Sequence, residues 1–263
     1  MIQLGTVDLT IAASLVLLLA LLSLRLQSDI SRQLVVAAIR TAVQLTLIGL
    51  VLKVLFANAS FVWVALMALV MLLIAGREVM VRQERRFKGW SGYAVGTGSM
   101  FLSSFAIAVF ALVVILGDEP WYAPQYAIPL LGMLLGNTMN GISISMDRLT
   151  NAAWEQRNVI EARLMLGQRW DEAIGDYRKQ AIRSGMIPII NAMAAAGIVS
   201  LPGMMTGQIM AGAAPVEAVK YQILIMFLIA AGTGLGTLAA VTIGSRRLFD
   251  ERQRLCLDRL TQK

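Results

Sequence analysis

Asn137, Thr138, Asn140, Ser143 and Ser145 interrupt an otherwise apolar stretch, so their chemistry needs explaining first. Amides and hydroxyls are costly in hydrocarbon unless they meet another helix or a water-filled path. Met133, Met139, Met204, Met205 and Met210 add soft thioether sulfur, which suits Cu(I) better than the harder Fe(II) and more often simply packs. The rest of the reactive inventory is short. There is no histidine, and Cys256 is the single cysteine, which excludes an internal disulfide and an imidazole-based zinc or proteolytic centre. No Asp or Glu lies in the interior of an apolar span; Asp8, Glu78 and Asp147 stand at span ends. Proton coupling through a buried carboxylate is therefore disfavoured, while Na⁺ sites of carbonyls and hydroxyls stay open. No G-x-x-x-x-G-K-[ST] run occurs, so the chain has no P-loop for ATP. These residues suit binding and passage rather than covalent catalysis.

The elements that position them are membrane helices. Of 263 residues, 57% are hydrophobic and mean hydropathy is +0.69, above the usual range of soluble domains. Spans of roughly 20 apolar residues cross about 30 Å of hydrocarbon. Seven are expected, at 8–25, 34–56, 61–77, 93–116, 125–146, 185–211 and 220–244, giving an all-α polytopic bundle. The first run, Leu9–Leu24, lacks a basic leader and a cleavage pattern and reads as a retained helix.

Charge sets the expected orientation. Of the 23 basic residues, 20 fall in loops 25–33, 77–92 and 147–184 and in the tail from Arg246 to Lys263. Lys53 and Lys220 lie near the opposite ends of helices, and Arg40 lies inside the second span. The other loops are short and carry Asp8, Asp118, Glu119 and Glu217, which would draw cations to the outer mouth. The positive-inside rule then predicts the N-terminus outside and the C-terminus cytoplasmic. Because the +7 net charge is spread between apolar spans, it points to anionic lipid and not to nucleic acid. Trp90, Tyr93, Trp121, Tyr122 and Tyr126 read as interfacial anchors.

Loop 147–184 is long beside the others. Trp154, Ile160, Leu164, Trp170 and Ile174 fit one face of an amphipathic helix, either lying on the membrane or docking a cytoplasmic partner. Within it Glu161-Ala162-Arg163-Leu164-Met165-Leu166-Gly167 resembles the EAA loop of ABC importer permeases. That resemblance implies a coupling helix seated in a groove of an ATP-binding subunit, with Glu161, Ala162, Arg163 and Gly167 as the coupling residues. Arg163 departs from the pattern, which has a second alanine there, and the proline of Ile187-Pro188 comes late.

Two further strings are more distinctive. One is Ile128-Pro129-Leu130-Leu131-Gly132-Met133-Leu134-Leu135-Gly136-Asn137-Thr138-Met139-Asn140. The other is Ser200-Leu201-Pro202-Gly203-Met204-Met205-Thr206-Gly207, continuing to Gly212. Together they are similar, over nearly the whole chain, to the FetB family of ABC permeases. The resemblance implies one transmembrane permease domain, 1–263, multi-pass in the inner membrane and working as a homodimer. It implies an ATP-binding subunit of the FetA type that carries the ATP and Mg, with no cofactor on this chain. The family's bacterial member is assigned to iron export and peroxide tolerance, and plant relatives to aluminium tolerance. Iron is therefore the expected substrate, with another metal or a small metabolite left open.

The same strings carry a physical argument of their own. Gly132/Gly136, Gly203/Gly207 and Gly232/Gly236 form small-x-x-x-small faces that let helices approach closely. Pro129 and Pro202 remove helical hydrogen bonds, and broken helices beside polar residues are where transporters often hold substrate. Met133, Asn137, Met139, Asn140, Ser200, Pro202, Met204 and Met205 are thus the expected pathway residues, with no metal site assigned. An ATP-independent carrier or channel, and a scaffold whose basic loops recruit a soluble protein, are the rival readings.

Overall fold

Long apolar runs without charges become helices because only a helix satisfies its own backbone in lipid. The computed structural model describes residues 5–25, 30–57, 60–117 and 120–262, and is all-α apart from one short ribbon. Among the described residues, six helices are long and apolar enough to cross a membrane. The chain divides into two units, 1–60 and 61–263. The first holds α1 (Thr6–Arg25) and α2 (Ile30–Ala57), which pack on each other.

The second unit begins with α3 (Phe61–Arg82) and β1 (Arg85–Phe87). A continuous helical run follows: α4 (Trp90–Met100), a π-helical stretch Phe101–Phe105, α5 (Ala106–Phe110) and a second π-helical stretch Ala111–Leu116. Then come α6 (Pro124–Glu155), α7 (Arg157–Met165), α8 (Trp170–Ala173), α9 (Gly175–Ala195), α10 (Gly203–Met210) and α11 (Pro215–Arg247). The chain closes with a 3₁₀ turn, Leu257–Arg259, and β2 (Leu260–Gln262), which pairs antiparallel with β1.

Five of the expected spans match helices closely, and α6 runs well beyond 125–146. The expected span 185–211 does not form one helix. Ala196 turns extended, Gly197 adopts a φ of +82°, and Ser200 bridges back to Ala196. Pro202, with no N–H to continue a helix, stands at the N-cap of α10. The helix of this region instead starts ten residues early, at Gly175. Its 21 residues, at about 1.5 Å each, reach about 30 Å. Asp176, Arg178, Lys179 and Arg183 in its first turns explain why it does not read as apolar. Likewise the amphipathic pattern in 147–184 is not one helix face. Trp154 ends α6, Ile160 and Leu164 sit on α7, and Trp170 and Ile174 belong to α8 and its end. Ile160 and Ile174 are fully buried in protein.

Helix α6 packs against α3, α9 and α11, and glycine sets the spacing. A methyl group on Gly185 of α9 would lie 2.5 Å from the Gly141 carbonyl oxygen of α6. One on Gly141 would meet Thr233 Cγ2 at 2.7 Å and Thr237 Oγ1 at 2.9 Å, both on α11. One on Gly236 would meet Thr138 Cγ2 at 2.5 Å and Ser103 Oγ at 2.8 Å. The expected close-packing face is thus real for Gly232/Gly236. Gly132 faces Met71, whereas a methyl group on Gly136, Gly203 or Gly207 would meet nothing within 4 Å among the described residues. Pro129 does not break α6, since it lies only five residues from Pro124 and frees a single carbonyl near the helix start. Tyr93 does more than anchor: its hydroxyl donates to the Leu73 carbonyl at 2.9 Å, tying α4 to α3.

Overpacking at these contacts costs about 1–3 kcal/mol or more. Gly236→Leu and Gly185→Leu are expected to lower the thermal unfolding midpoint in detergent by several degrees or abolish folding. Gly98→Leu, at an exposed position with open space around it, should leave that midpoint unchanged, as read by tryptophan fluorescence on heating.

Candidate functional site

Helix α7 ends in a turn built by its own sequence. Gly167 adopts a φ of +89°, a region open to glycine and strained for other residues. Its N–H donates to the Leu164 carbonyl at 3.0 Å, and the Gln168 N–H donates to the Arg163 carbonyl at 3.1 Å. These are the paired bonds of a Schellman cap, which satisfies the last carbonyls of a helix and reverses the chain. The turn leads into α8, whose N-cap backbone is held by Glu172.

The four expected coupling residues take different places on this turn. Glu161 is exposed and lines an open cleft of about 660 Å³. Ala162 is exposed, and its carbonyl accepts the Leu166 N–H. Arg163, the residue that departs from the EAA pattern, turns inward. It donates to Asp176 Oδ2 at 3.0 Å and to the Ala173 carbonyl at 3.2 Å, bracing α7 against α8 and α9. Gly167 makes the turn. Beyond them, sequence reading passed over Met165 and Leu166, which project with 84% and 85% of their surface exposed. Met165 shares the cleft with Arg252 and Arg254; the signal was an apolar pair directly before a capping glycine.

Loop 77–92 and the tail converge on the same end of the second unit. Strands β1 and β2 join the α3–α4 loop to the tail, with Lys88 N–H donating to the Arg259 carbonyl at 2.8 Å. The Glu84 N–H donates to Asp147 Oδ1 at 2.7 Å, and Arg85 stacks over Trp154 at 4.4 Å. In the tail, the Asp250 carboxylate is held below its ordinary pKa by the Arg254 N–H and then by the Arg254 guanidinium. That stabilisation is present above the usual carboxylate range and fades as pH falls through it.

The expected pathway residues fall in two separate places. On α6, Met133 and Asn137 are half-buried, and the Asn137 amide donates to the Met133 carbonyl at 2.9 Å. Met139 is half-buried, and the exposed Asn140 accepts a bond from Arg82 at 2.8 Å. Thr138, Ser143 and Ser145 are buried against neighbouring helices. Asn140 and Ser143 line a polar cleft of about 540 Å³ with Arg82, Asp147, Arg148 and Ser184. The second place is the break between α9 and α10. Pro202 and Met205 line a mainly apolar cavity of about 480 Å³ together with Met193, Gln222 and Met226. Ser200 and Met204 are exposed beside it. Gln222 is 92% buried and its Oε1 has no partner among the described residues. Met193, Met226 and Gln222 were missed because their spans read as plain apolar sequence.

Among the described residues no group of three His, Cys, Asp or Glu is placed to hold a metal. Asp118 and Glu119, expected at an outer mouth, lie outside the described residues. Glu217 is paired with Lys220 at 2.8 Å.

The profile of the uncharacterised protein family UPF0014 matches residues 6–249. The chain belongs to the UPF0014 family. A UPF0014 membrane protein of Synechocystis, slr1647, is 42% identical over 86% of this chain and 87% of its own length. The Arabidopsis protein ALUMINUM SENSITIVE 3 is 32% identical over 90% of this chain and 84% of its own. The Escherichia coli protein named as a probable iron export permease, FetB, is 30% identical over 97% and 96%. No solved structure matches. Membership of UPF0014 and the six apolar helices make this a multi-pass membrane protein.

Gly167→Ala forces an L residue into the left-handed region, at a cost of about 1–2 kcal/mol. Amide hydrogen exchange at Gly167 and Gln168 should then speed up about tenfold or more, while the buried amides of α6 keep their rates.

Proposed function

We propose that the chain is the membrane-spanning permease subunit of an ABC transporter, working as a homodimer and exporting iron from the cytoplasm. The observation that carries this reading is the capped turn at Glu161–Gly167. It is closed by two backbone hydrogen bonds, it stands beside the basic tail, and it exposes an apolar pair outside the apolar spans. A coupling element seated in an ATP-binding subunit needs those properties. The name of the Escherichia coli relative supports iron as cargo and export as direction.

The orientation follows from charge. The gathered basic end is assigned to the cytoplasm, the tail included, and the N-terminus to the outside of the inner membrane. With α9 as a further pass beside the six apolar helices, the termini fall on opposite sides. The second copy is supported by what the described residues of the second unit leave open: nothing among them stands within 4 Å of a methyl group placed on Gly136, Gly203 or Gly207, and Asn140 is exposed. In lipid such groups favour a second helix.

In this reading the chain does no covalent chemistry. ATP, with Mg, closes the paired ATP-binding subunits of the FetA type, and the turns at Glu161–Gly167 move with them. Arg163 passes that movement to α9 through Asp176. The break at Ala196–Pro202 lets α10 shift against α11 and opens the path. Neutral amide, hydroxyl and thioether groups along α6 and in the α9–α10 cavity would hold a cation weakly, which suits a substrate that must leave.

The test is ATP hydrolysis by the permease and its ATP-binding subunit in proteoliposomes, with and without Fe(II). Iron-stimulated hydrolysis is expected, falling at least tenfold in Glu161→Ala/Gly167→Leu. Hydrolysis indifferent to iron removes iron as cargo. Failure of any ATP-binding subunit to associate removes the ABC reading and favours an ATP-independent carrier. Orientation is checked separately: in a Cys256→Ser background, Arg252→Cys should react with a membrane-impermeant maleimide only after cells are opened.

A further inference from the structure

The tail after α11 is not a loose end. Phe249 bridges Leu255, the Cys256 N–H donates to the Leu248 carbonyl at 2.8 Å, and the Asp250 carboxylate closes the turn by accepting from the Arg254 N–H at 2.8 Å. Gln253 holds a φ of +61°, rare for a residue with a side chain, and needs its surroundings to keep it there. Its Oε1 accepts the Trp170 N–H at 3.0 Å. Trp170 is clasped further by Phe249, ring centres 5.9 Å apart, and by Arg246 at 5.3 Å above its ring. The tail therefore grips the first residue of α8, immediately beyond the Gly167 turn.

The grip leaves a groove. The cleft of about 660 Å³ has one wall from Glu161, Leu164, Met165 and Gly167, and the other from Arg252 and Leu255 of the tail. Arg252 is exposed, and among the described residues its guanidinium has no ion-pair partner, whereas Arg254 is engaged by Asp250. Apolar knobs beside a cation that has no partner of its own match an apolar socket rimmed by carboxylates.

Resting on the permease reading above, we infer that the tail turn 250–255 is the second wall of the docking site for the ATP-binding subunit. Gln253 positions the coupling turn, and Arg252 meets an acidic rim on the partner. The site is thus composite, drawn from two segments about ninety residues apart in sequence. It also links the partner to α11 directly, through Arg246 and Phe249, in parallel with the route through Arg163 to α9.

The test measures binding of a FetA-type ATP-binding subunit to the full chain in nanodiscs. Arg252→Glu is expected to weaken binding at least tenfold, Arg252→Lys less than threefold, and the charge-reversed control Lys179→Glu less than twofold. The loss in Arg252→Glu should shrink as salt is raised, since screening removes a charge contact. Gln253→Ala should accelerate amide exchange at Trp170 without changing that of α6. If Met165→Asp/Leu166→Asp abolishes binding while Arg252→Glu binds as the unaltered chain does, the tail is not a wall of the site and the permease reading stands. If the unaltered chain binds no subunit, both fall. A spin label at Leu166→Cys that remains open to a lipid-soluble relaxation agent with the subunit present assigns the groove to the bilayer surface and overturns the proposal.

Discussion

Three helices of the second unit meet where there is no room for a side chain. The Gly185 position lies so close to the Gly141 carbonyl that even a methyl group would stand 2.5 Å from it, and Thr237 of α11 closes on the same point. Without a hydrophobic drive between helices in lipid, such close approach is what holds them together. The side chains of Thr138, Thr233 and Thr237 are buried at this junction, and the Thr138 hydroxyl accepts from Ser104 at 3.3 Å, while those of Thr233 and Thr237 have no partner among the described residues.

Pinning α6 in this way fixes the rest. Within the second unit one side of the helix packs on α3, α9 and α11, while Asn140, bonded to Arg82 of α3, stays exposed and Gly136 has open space beside it among the described residues. Because α6 continues unbroken to Glu155, it carries α7 and the Gly167 turn at its end. The turn is therefore set by the same junction that sets the polar face, although they lie many residues apart. Arg163 bound to Asp176 closes this frame by returning the load to α9, the partner of α6 at the glycine contact.

The departures from sequence expectation share one cause. Helix α9 was misplaced because its first turns are charged and only its later part is apolar; hydropathy marks where lipid is, and a helix can extend past it. The break at Ala196–Pro202 was signalled by Gly197 and Pro202, but local chemistry did not show that Ser200 would bridge back to Ala196. Trp154, Ile160, Leu164, Trp170 and Ile174 kept their apolar spacing although they are divided among α6, α7 and α8, and periodicity alone does not separate that from a single face. Of the thioethers singled out, only Met205 joins the α9–α10 cavity, while Met193 and Met226 reach it from stretches that look like ordinary span.

What the sequence determined by itself was membrane class, the apolar spans other than the broken one, the gathering of charge into particular loops, and the Glu161–Gly167 turn. These rest on hydropathy, charge count and the backbone freedom of one glycine, all of which act locally. Tertiary structure alone decided which glycines touch, which polar groups are buried, and that the tail folds back on Trp170 to form a groove with the Gly167 turn. Those facts depend on backbones brought within a few ångströms of each other across long stretches of chain, and no residue's type reveals its distant neighbour.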